Sequence, residues 1–111
     1  MGFDLVSVGV VCADVMVRPV ETVPAKGTLG LVPKLEMHLG GLAGVTAIVF
    51  SQLGGKSAFV GRLGKDGFGE YLLATLQGNG VNTDSVKQMA SINSSATVVL
   101  IDNAGERTFL H

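Results

Sequence analysis

The sequence is poor in charged residues, and this shortage excludes several classes of protein. Charged residues make up 15% of the 111 residues and hydrophobic residues 47%, which leaves too little polarity for a disordered linker. Eight Lys and Arg against nine Asp and Glu give a net charge of −1, so the chain lacks the basic face that binds nucleic acid. We therefore expect one folded domain, or a piece of a larger one, without a nucleic-acid partner.

Cysteine is almost absent too, because Cys12 is the single one. It cannot form an internal disulfide and lies in an apolar run, which is typical of a protein in the reducing cytoplasm. The two histidines, His38 and His111, are far apart in the sequence, so no His or Cys cluster has the spacing of metal ligands. We expect a cytoplasmic protein and no metal site in this chain.

Long hydrophobic runs of the kind that enter membranes are also missing. The apolar start of the chain carries Asp4 where a signal peptide needs a positive charge, and Asp14 interrupts the run. The longest uncharged segment, Leu39–Gly55, is short for a membrane span and contains several glycines and hydroxyl residues. We expect a soluble protein without a membrane partner.

What the sequence does contain is an alternation of apolar strands and helices. Asp4–Val11 is a nearly continuous β-branched run, which is typical of a central strand covered on both faces in a parallel sheet. Leu42–Leu53 is apolar around its whole circumference and predicts a buried helix that ends at Gly54. A short strand, Ser57–Gly61, and an amphipathic helix, Asp66–Gly78, follow. The fold class is therefore α/β.

Two further segments predict a small peripheral sheet. Gly30–Leu39 contains Pro33, which restricts it to an edge strand. Val98–Asp102 and Glu106–Leu110 flank Asn103-Ala104-Gly105, a turn sequence typical of a hairpin. Because so few parallel strands and helices leave part of the sheet uncovered, we expect the chain to be an incomplete N-terminal part of a larger fold.

The candidate binding residues are a carboxylate and a glycine pair. Asp14 follows the first predicted strand, and ligands of open α/β sheets bind at the carboxyl ends of strands. Gly40 and Gly41 precede a helix, where they allow close backbone approach and leave helix amides facing a ligand. The alternative interpretation of these residues is a tight turn with an exposed Asp. Asp66, before a helical run, is interpreted mainly as a helix cap.

With these residues in place, the sequence resembles the N-terminal part of the ribokinase-like (pfkB) family of carbohydrate kinases over essentially its whole length. The family's glycine-rich signature is matched at the expected intervals, together with Asp14, by Gly40, Gly41, Ala43, Ala47, Gly54, Gly64, Asp66, Phe68 and Gly69. One position departs from the pattern, because Val45 stands where the family usually carries an Asn that binds a sugar hydroxyl.

The resemblance implies a core α/β domain, 1–14 and 40–93, with a β lid formed by 15–39 and 94–111. It implies that Asp14, Gly40 and Gly41 contact a sugar substrate, with Val45 as an apolar wall of the same pocket. Arg107 on the final hairpin either faces the substrate or is a solvated strand charge, and we favour the second reading.

The activity implied by the resemblance is transfer of the ATP γ-phosphoryl group to a sugar hydroxyl, with Mg²⁺. The family's C-terminal Gly-Ala-Gly-Asp motif, which supplies the catalytic base and the anion site, does not occur in this chain. We therefore expect the chain to contact sugar and to lack catalysis by itself. The alternative is a non-catalytic interaction module that forms a homodimer through exposed lid strands.

Overall fold

The computed structural model describes residues 2–111, which fold into two compact units. The first unit comprises the chain up to Ala13 together with Leu39–Ser95. The second unit comprises Asp14–His38 and Ala96–His111. That these units serve as a core and a lid stays a prediction.

The described residues form strands and helices in an alternating order that confirms the predicted α/β class. In chain order the elements are β1 (Leu5–Val8), β2 (Cys12–Arg18), β3 (Lys34–Gly40), α1 (Leu42–Gln52), β4 (Ser57–Gly64), α2 (Gly67–Gly78), β5 (Val86–Met89), β6 (Ala96–Ile101) and β7 (Arg107–Leu110). Within residues 2–111, no helix is long and apolar enough to cross a membrane. The sequence pattern did not predict β5, whose residues carry no clear apolar run.

The first unit is built on a parallel sheet of three strands in the order β1-β4-β5. Leu5 pairs with Ser57 and Gly61 pairs with Val86, so β1 pairs with the first half of β4 and β5 with its second half. Helix α1 contacts β1, β4 and α2, and α2 contacts β4. The largest side chains buried between these layers are Phe59, Leu63, Leu72 and Leu76.

The first strand differs from the prediction in length and in position. Leu5–Val8 forms β1, at the edge of the three-stranded sheet, and Val6 and Val8 are exposed, so the prediction of a central strand covered on both faces is wrong for the described chain. The chain leaves this sheet at Gly9, whose φ of +149° favours glycine. The sequence does not show where the chain leaves the sheet, because β1 and β2 are both apolar and read as one continuous run.

This break also corrects the position of Asp14. The sequence placed Asp14 at the carboxyl end of the first parallel strand, whereas it lies within β2, in the other sheet. Asp14 is also the first residue of the second unit. Its side chain therefore belongs to a sheet face and not to a strand-end loop.

Helix α1 has nearly the predicted bounds, but the expectation that it is buried is wrong in the described chain. Its buried residues are Ala43, Gly44 and Ala47, which lie on one side. The opposite side carries a stripe of exposed apolar residues, named here the α1 stripe: Leu42, Val45, Val49 and Leu53. A helix that is apolar all round gives no sequence signal for which side packs.

The second unit contains most of a four-stranded sheet with the order β3-β2-β6-β7. Strand β3 begins directly after Pro33 and lies at an edge, which confirms the edge-strand prediction. Strands β6 and β7 form the predicted hairpin, with Val98 opposite Leu110. Its turn is stabilised by Asp102, whose Oδ1 accepts hydrogen bonds from the amides of Ala104 and Glu106.

Asp66 is the N-cap of α2, which confirms its interpretation as a helix cap. Its Oδ1 accepts a hydrogen bond from the Gly69 amide at 2.7 Å, and its Oδ2 accepts one from the Ser94 amide at 2.9 Å. The Ser94 hydroxyl donates to Oδ1 and accepts from the Gly64 amide. The carboxylate thus joins the end of β4, the start of α2 and the segment before β6.

These hydrogen bonds predict a pH-dependent contribution of Asp66 to stability. The amide bonds from Ser94 and Gly69, followed by the Ser94 hydroxyl, lower the pKa of Asp66 below its ordinary value. The stabilisation is therefore fully present above the ordinary Asp pKa of about 4 and is lost as pH falls through the lower folded pKa. We expect Asp66→Asn to melt at a lower temperature than the wild type at pH 7, with the difference shrinking below about pH 4.

Thermal melts of the full-length protein between pH 3 and pH 7 test this expectation. The variant Ser94→Ala removes one of the three bonds to Asp66 and also the acceptor of the Gly64 amide, so part of its loss should remain at every pH. A loss in Asp66→Asn that does not change with pH would contradict the assigned role of the carboxylate.

Candidate functional site

The carbonyl of Val10 fixes where α1 begins. It accepts a hydrogen bond from the Gly44 amide at 3.2 Å, while the N-cap residue of α1, Gly41, provides no side-chain cap. Gly41 adopts a φ of +92°, and a Cβ atom there would lie 2.5 Å from the Val10 oxygen. Glycine at this position is therefore required by the contact between the segment that follows β1 and the start of α1, whether or not a ligand binds.

A groove of about 350 Å³ opens beside this contact. Its lining residues are Ser7, Val8, Gly9, Val10, Leu42, Ala43 and Thr46. The groove lies where β1 ends and α1 begins, which is the common place for ligands in open α/β folds. Its two hydroxyls already donate within the chain, Ser7 to the Ala43 carbonyl and Thr46 to the Leu42 carbonyl, so each can still accept a hydrogen bond.

Three of the predicted site residues lie together in the first unit. Gly40 is the last residue of β3, Gly41 precedes α1, and Val45 lies in the second turn of α1. Val45 is 42% exposed on the α1 stripe and does not line the groove. The residue of this turn that lines the groove is Thr46, which the sequence pattern did not single out.

The other two predicted site residues lie in the second unit. Asp14 is half-buried in β2, and Arg107 is the first residue of β7, with its guanidinium 5.5 Å from the centre of the Phe109 ring. In the sheet order, β6 separates these two strands, which places them about 10 Å apart. Arg107 thus stacks on a neighbouring side chain of its own strand.

Sequence reasoning missed an ion cluster on β2 and β3. Glu36 accepts a hydrogen bond from Arg18 at 2.7 Å and lies 3.4 Å from the Lys34 ammonium and 3.3 Å from the His38 ring. Desolvation acts to raise the pKa of Glu36, but the hydrogen bonds from Arg18, His38 and Lys34 outweigh it, so the pKa is lowered. The sequence did carry a signal for this cluster, because residues at alternate positions of a strand, here 34, 36 and 38, lie on the same face of a sheet.

Metal-ligand chemistry is not evident among residues 2–111, where no three His, Cys, Asp or Glu side chains are grouped to hold an ion. No loop of the described chain combines the glycines and lysine that cradle a nucleotide phosphate.

Comparison with known proteins shows which family this chain belongs to. The sequence profile of the pfkB family carbohydrate kinase matches residues 3–111. A probable fructokinase-6, chloroplastic, from Arabidopsis thaliana is 34% identical over 103 residues, which is 91% of this chain and 26% of that protein. A fructokinase from Vibrio alginolyticus is 35% identical over 91 residues, 78% of this chain and 30% of that protein.

Solved structures agree with the sequence matches. Arabidopsis thaliana ribokinase complexed with ribose and ATP superposes with a TM-score of 0.89 at 28% identity, covering 99% of this chain and 36% of that one. Fructokinase from Xylella fastidiosa superposes with a TM-score of 0.77 at 27% identity, covering 96% and 31%. The mixed α/β fold is therefore ribokinase-like, and the chain spans about a quarter to a third of the length of the relatives it matches.

The contact between Val10 and Gly41 predicts a large difference between two glycine substitutions. Gly41→Ala places a Cβ atom against the Val10 carbonyl in a strained backbone conformation and should lower the free energy of unfolding by about 1–3 kcal/mol. Gly78→Ala, in a helix with open space around the new Cβ, should raise it by about 0.5–1 kcal/mol. Urea denaturation of both full-length variants measures the difference, and equal effects would refute the proposed cause.

Proposed function

The chain belongs to the pfkB family of carbohydrate kinases, and on that premise we propose that it is the sugar-binding N-terminal part of an ATP-dependent kinase that phosphorylates a sugar hydroxyl. The observation that carries the proposal is the family match over residues 3–111. The similar proteins of known name are fructokinases and a ribokinase, so the proposed substrate class is a monosaccharide.

In this proposal Asp14 accepts hydrogen bonds from sugar hydroxyls. A carboxylate has the lone pairs to serve two hydroxyl donors at once. Asp14 is half-buried within β2, so part of its surface stays accessible on a sheet face. Gly40 and Gly41 supply backbone contacts beside the first turn of α1.

Val45 distinguishes the proposed site from that of relatives with the usual Asn. Its side chain offers neither a donor nor an acceptor, so it forms an apolar wall next to a substrate position that lacks a hydroxyl. Arg107 is a weaker candidate for a substrate contact than Asp14, because its guanidinium stacks on the Phe109 ring. Residues 15–39 and 94–111 act as the lid over the sugar.

ATP and Mg²⁺ belong to the proposed activity of the whole protein. When bound, ATP supplies the phosphoryl group and Mg²⁺ neutralises its charge. The chain's own contribution is to bind and orient the sugar.

The alternative function is a non-catalytic interaction module. Every observation that fits such a module fits a kinase equally well. A cytoplasmic location stays a prediction, and one similar protein is named chloroplastic.

The role of Asp14 predicts a selective loss of sugar affinity. Asp14→Ala in the full-length protein should weaken sugar binding by about 1.5–3 kcal/mol for each hydrogen bond to a charged acceptor. Asp84→Ala is the matched control, because Asp84 bonds to neighbouring Asn82 in the loop before β5. Calorimetric titration with fructose and with ribose measures the difference. Equal affinity in the wild type and Asp14→Ala would remove Asp14 from the site.

The role of Val45 predicts a change in specificity. Val45→Asn should improve use of sugars with a hydroxyl at that point and penalise the native substrate by about 1–3 kcal/mol, because an amide is left partly unpaired. Val49→Asn is the matched control, one turn along the α1 stripe and similarly exposed. A panel of sugars is compared by kcat/KM. An unchanged rank order in Val45→Asn would show that Val45 does not face the sugar.

A further inference from the structure

Strands β2 and β6 are neighbours in the four-stranded sheet, and two backbone hydrogen bonds fix their direction. The Ala13 amide donates to the Ser95 carbonyl, and beyond the end of β2 the Val20 amide donates to the Ile101 carbonyl. Because the residue numbers rise together, the two strands run parallel. In a parallel pair an amide donates to the residue before its partner, so position 13 is opposite position 96 and position 14 is opposite position 97.

Strand β7 extends this pairing to His111. Val98 of β6 pairs with Leu110 in an antiparallel ladder, so the next pair is Thr97 and His111. The Thr97 hydroxyl and the His111 Nδ1 atom are hydrogen-bonded at 2.8 Å, which places both side chains on the same face. Asp14, Thr97 and His111 therefore form a row across β2, β6 and β7, named here the polar row.

The polar row has a low centre between two groups that are available to a ligand. Thr97 is buried, whereas Asp14 is half-buried and His111 is exposed. The two outer strands are about 10 Å apart. Within residues 2–111, neither the Asp14 carboxylate nor the Nε2 atom of His111 has a hydrogen-bond or ion-pair partner.

The next row on the same face is apolar. It lies two residues along each strand, about 7 Å away, and contains Met16, Val99 and Phe109. Val99 is buried and Phe109 is 55% exposed. A few polar groups beside an aromatic ring suit a monosaccharide, which carries hydroxyls around a ring of C–H groups.

We propose that the Nε2 atom of His111 forms a hydrogen bond with a hydroxyl of the substrate sugar, on the side away from Asp14, and so contributes to the choice of sugar. This inference rests on the proposed function and adds a specificity residue to that site. The Thr97 bond holds Nδ1 and leaves Nε2, on the far side of the ring, for the ligand. Because a neutral imidazole has one donor and one acceptor nitrogen, the same bond sets which of the two Nε2 is.

A purely structural role for His111 would use a different ring nitrogen. A cross-strand pair that only stabilises the hairpin needs the bond between Thr97 and Nδ1. A sugar contact needs Nε2 as well. The two roles therefore predict different results when the two nitrogens are replaced separately.

The test compares two amide substitutions at position 111. His111→Asn places its amide near the position of Nδ1 and removes the group at Nε2, whereas His111→Gln places its amide near Nε2. Thr108→Asn is the control, because position 108 lies on the opposite face of β7. Calorimetric titration of the full-length proteins with fructose and with ribose measures sugar affinity, and circular dichroism melts report on folding.

We expect His111→Asn to weaken binding of the preferred sugar about five- to tenfold, which corresponds to the loss of one neutral hydrogen bond. His111→Gln should retain most of the affinity, and Thr108→Asn should bind like the wild type. Among monodeoxy analogues of that sugar, the one that lacks the contacted hydroxyl should bind equally well to the wild type and to His111→Asn.

Unchanged affinity in His111→Asn, or equal losses in the Asn and Gln variants, would overturn the inference. Either result would leave the proposed function intact, because Asp14→Ala tests it separately. A wild type that binds neither sugar would contradict both. If His111→Asn fails to fold, Thr97→Val removes the bond that orients the ring while keeping the side-chain shape, and unchanged affinity in that variant would overturn the inference too.

Discussion

The position of the Val10 carbonyl is the constraint on which the site depends. It occupies the space that any side chain at residue 41 would need, and it accepts the amide of Gly44 in place of a side-chain cap. These contacts join the end of a parallel strand to the start of a helix that is distant in sequence. The groove lies beside this close approach of the two backbones.

The same contact limits how the glycine pair can be interpreted. Backbone geometry alone accounts for Gly41, so its presence is not evidence that it contacts a substrate. Gly40 ends β3 and brings the chain to the helix. The functional proposal therefore depends on the family match and not on the glycine pair.

Alternation along β2 and β3 puts Asp14, Arg18, Lys34 and Glu36 on one face of the second unit's sheet. On this face Glu36 neutralises part of the positive charge of Arg18 and Lys34. Asp14 therefore lies on the same side of the sheet as an ion cluster whose charges are partly balanced within the chain.

The sequence alone determined the α/β class, both helices, the final hairpin, the cap at Asp66 and the kinase family, because glycine spacing and local periodicity carry that information. It could not determine that the apolar run beginning at Asp4 splits at Gly9, which moved Asp14 into another sheet. Nor could it show which side of α1 packs, or that Thr46 and not Val45 lines the groove. Those outcomes depend on contacts between residues far apart in the chain, and only the tertiary structure decides them.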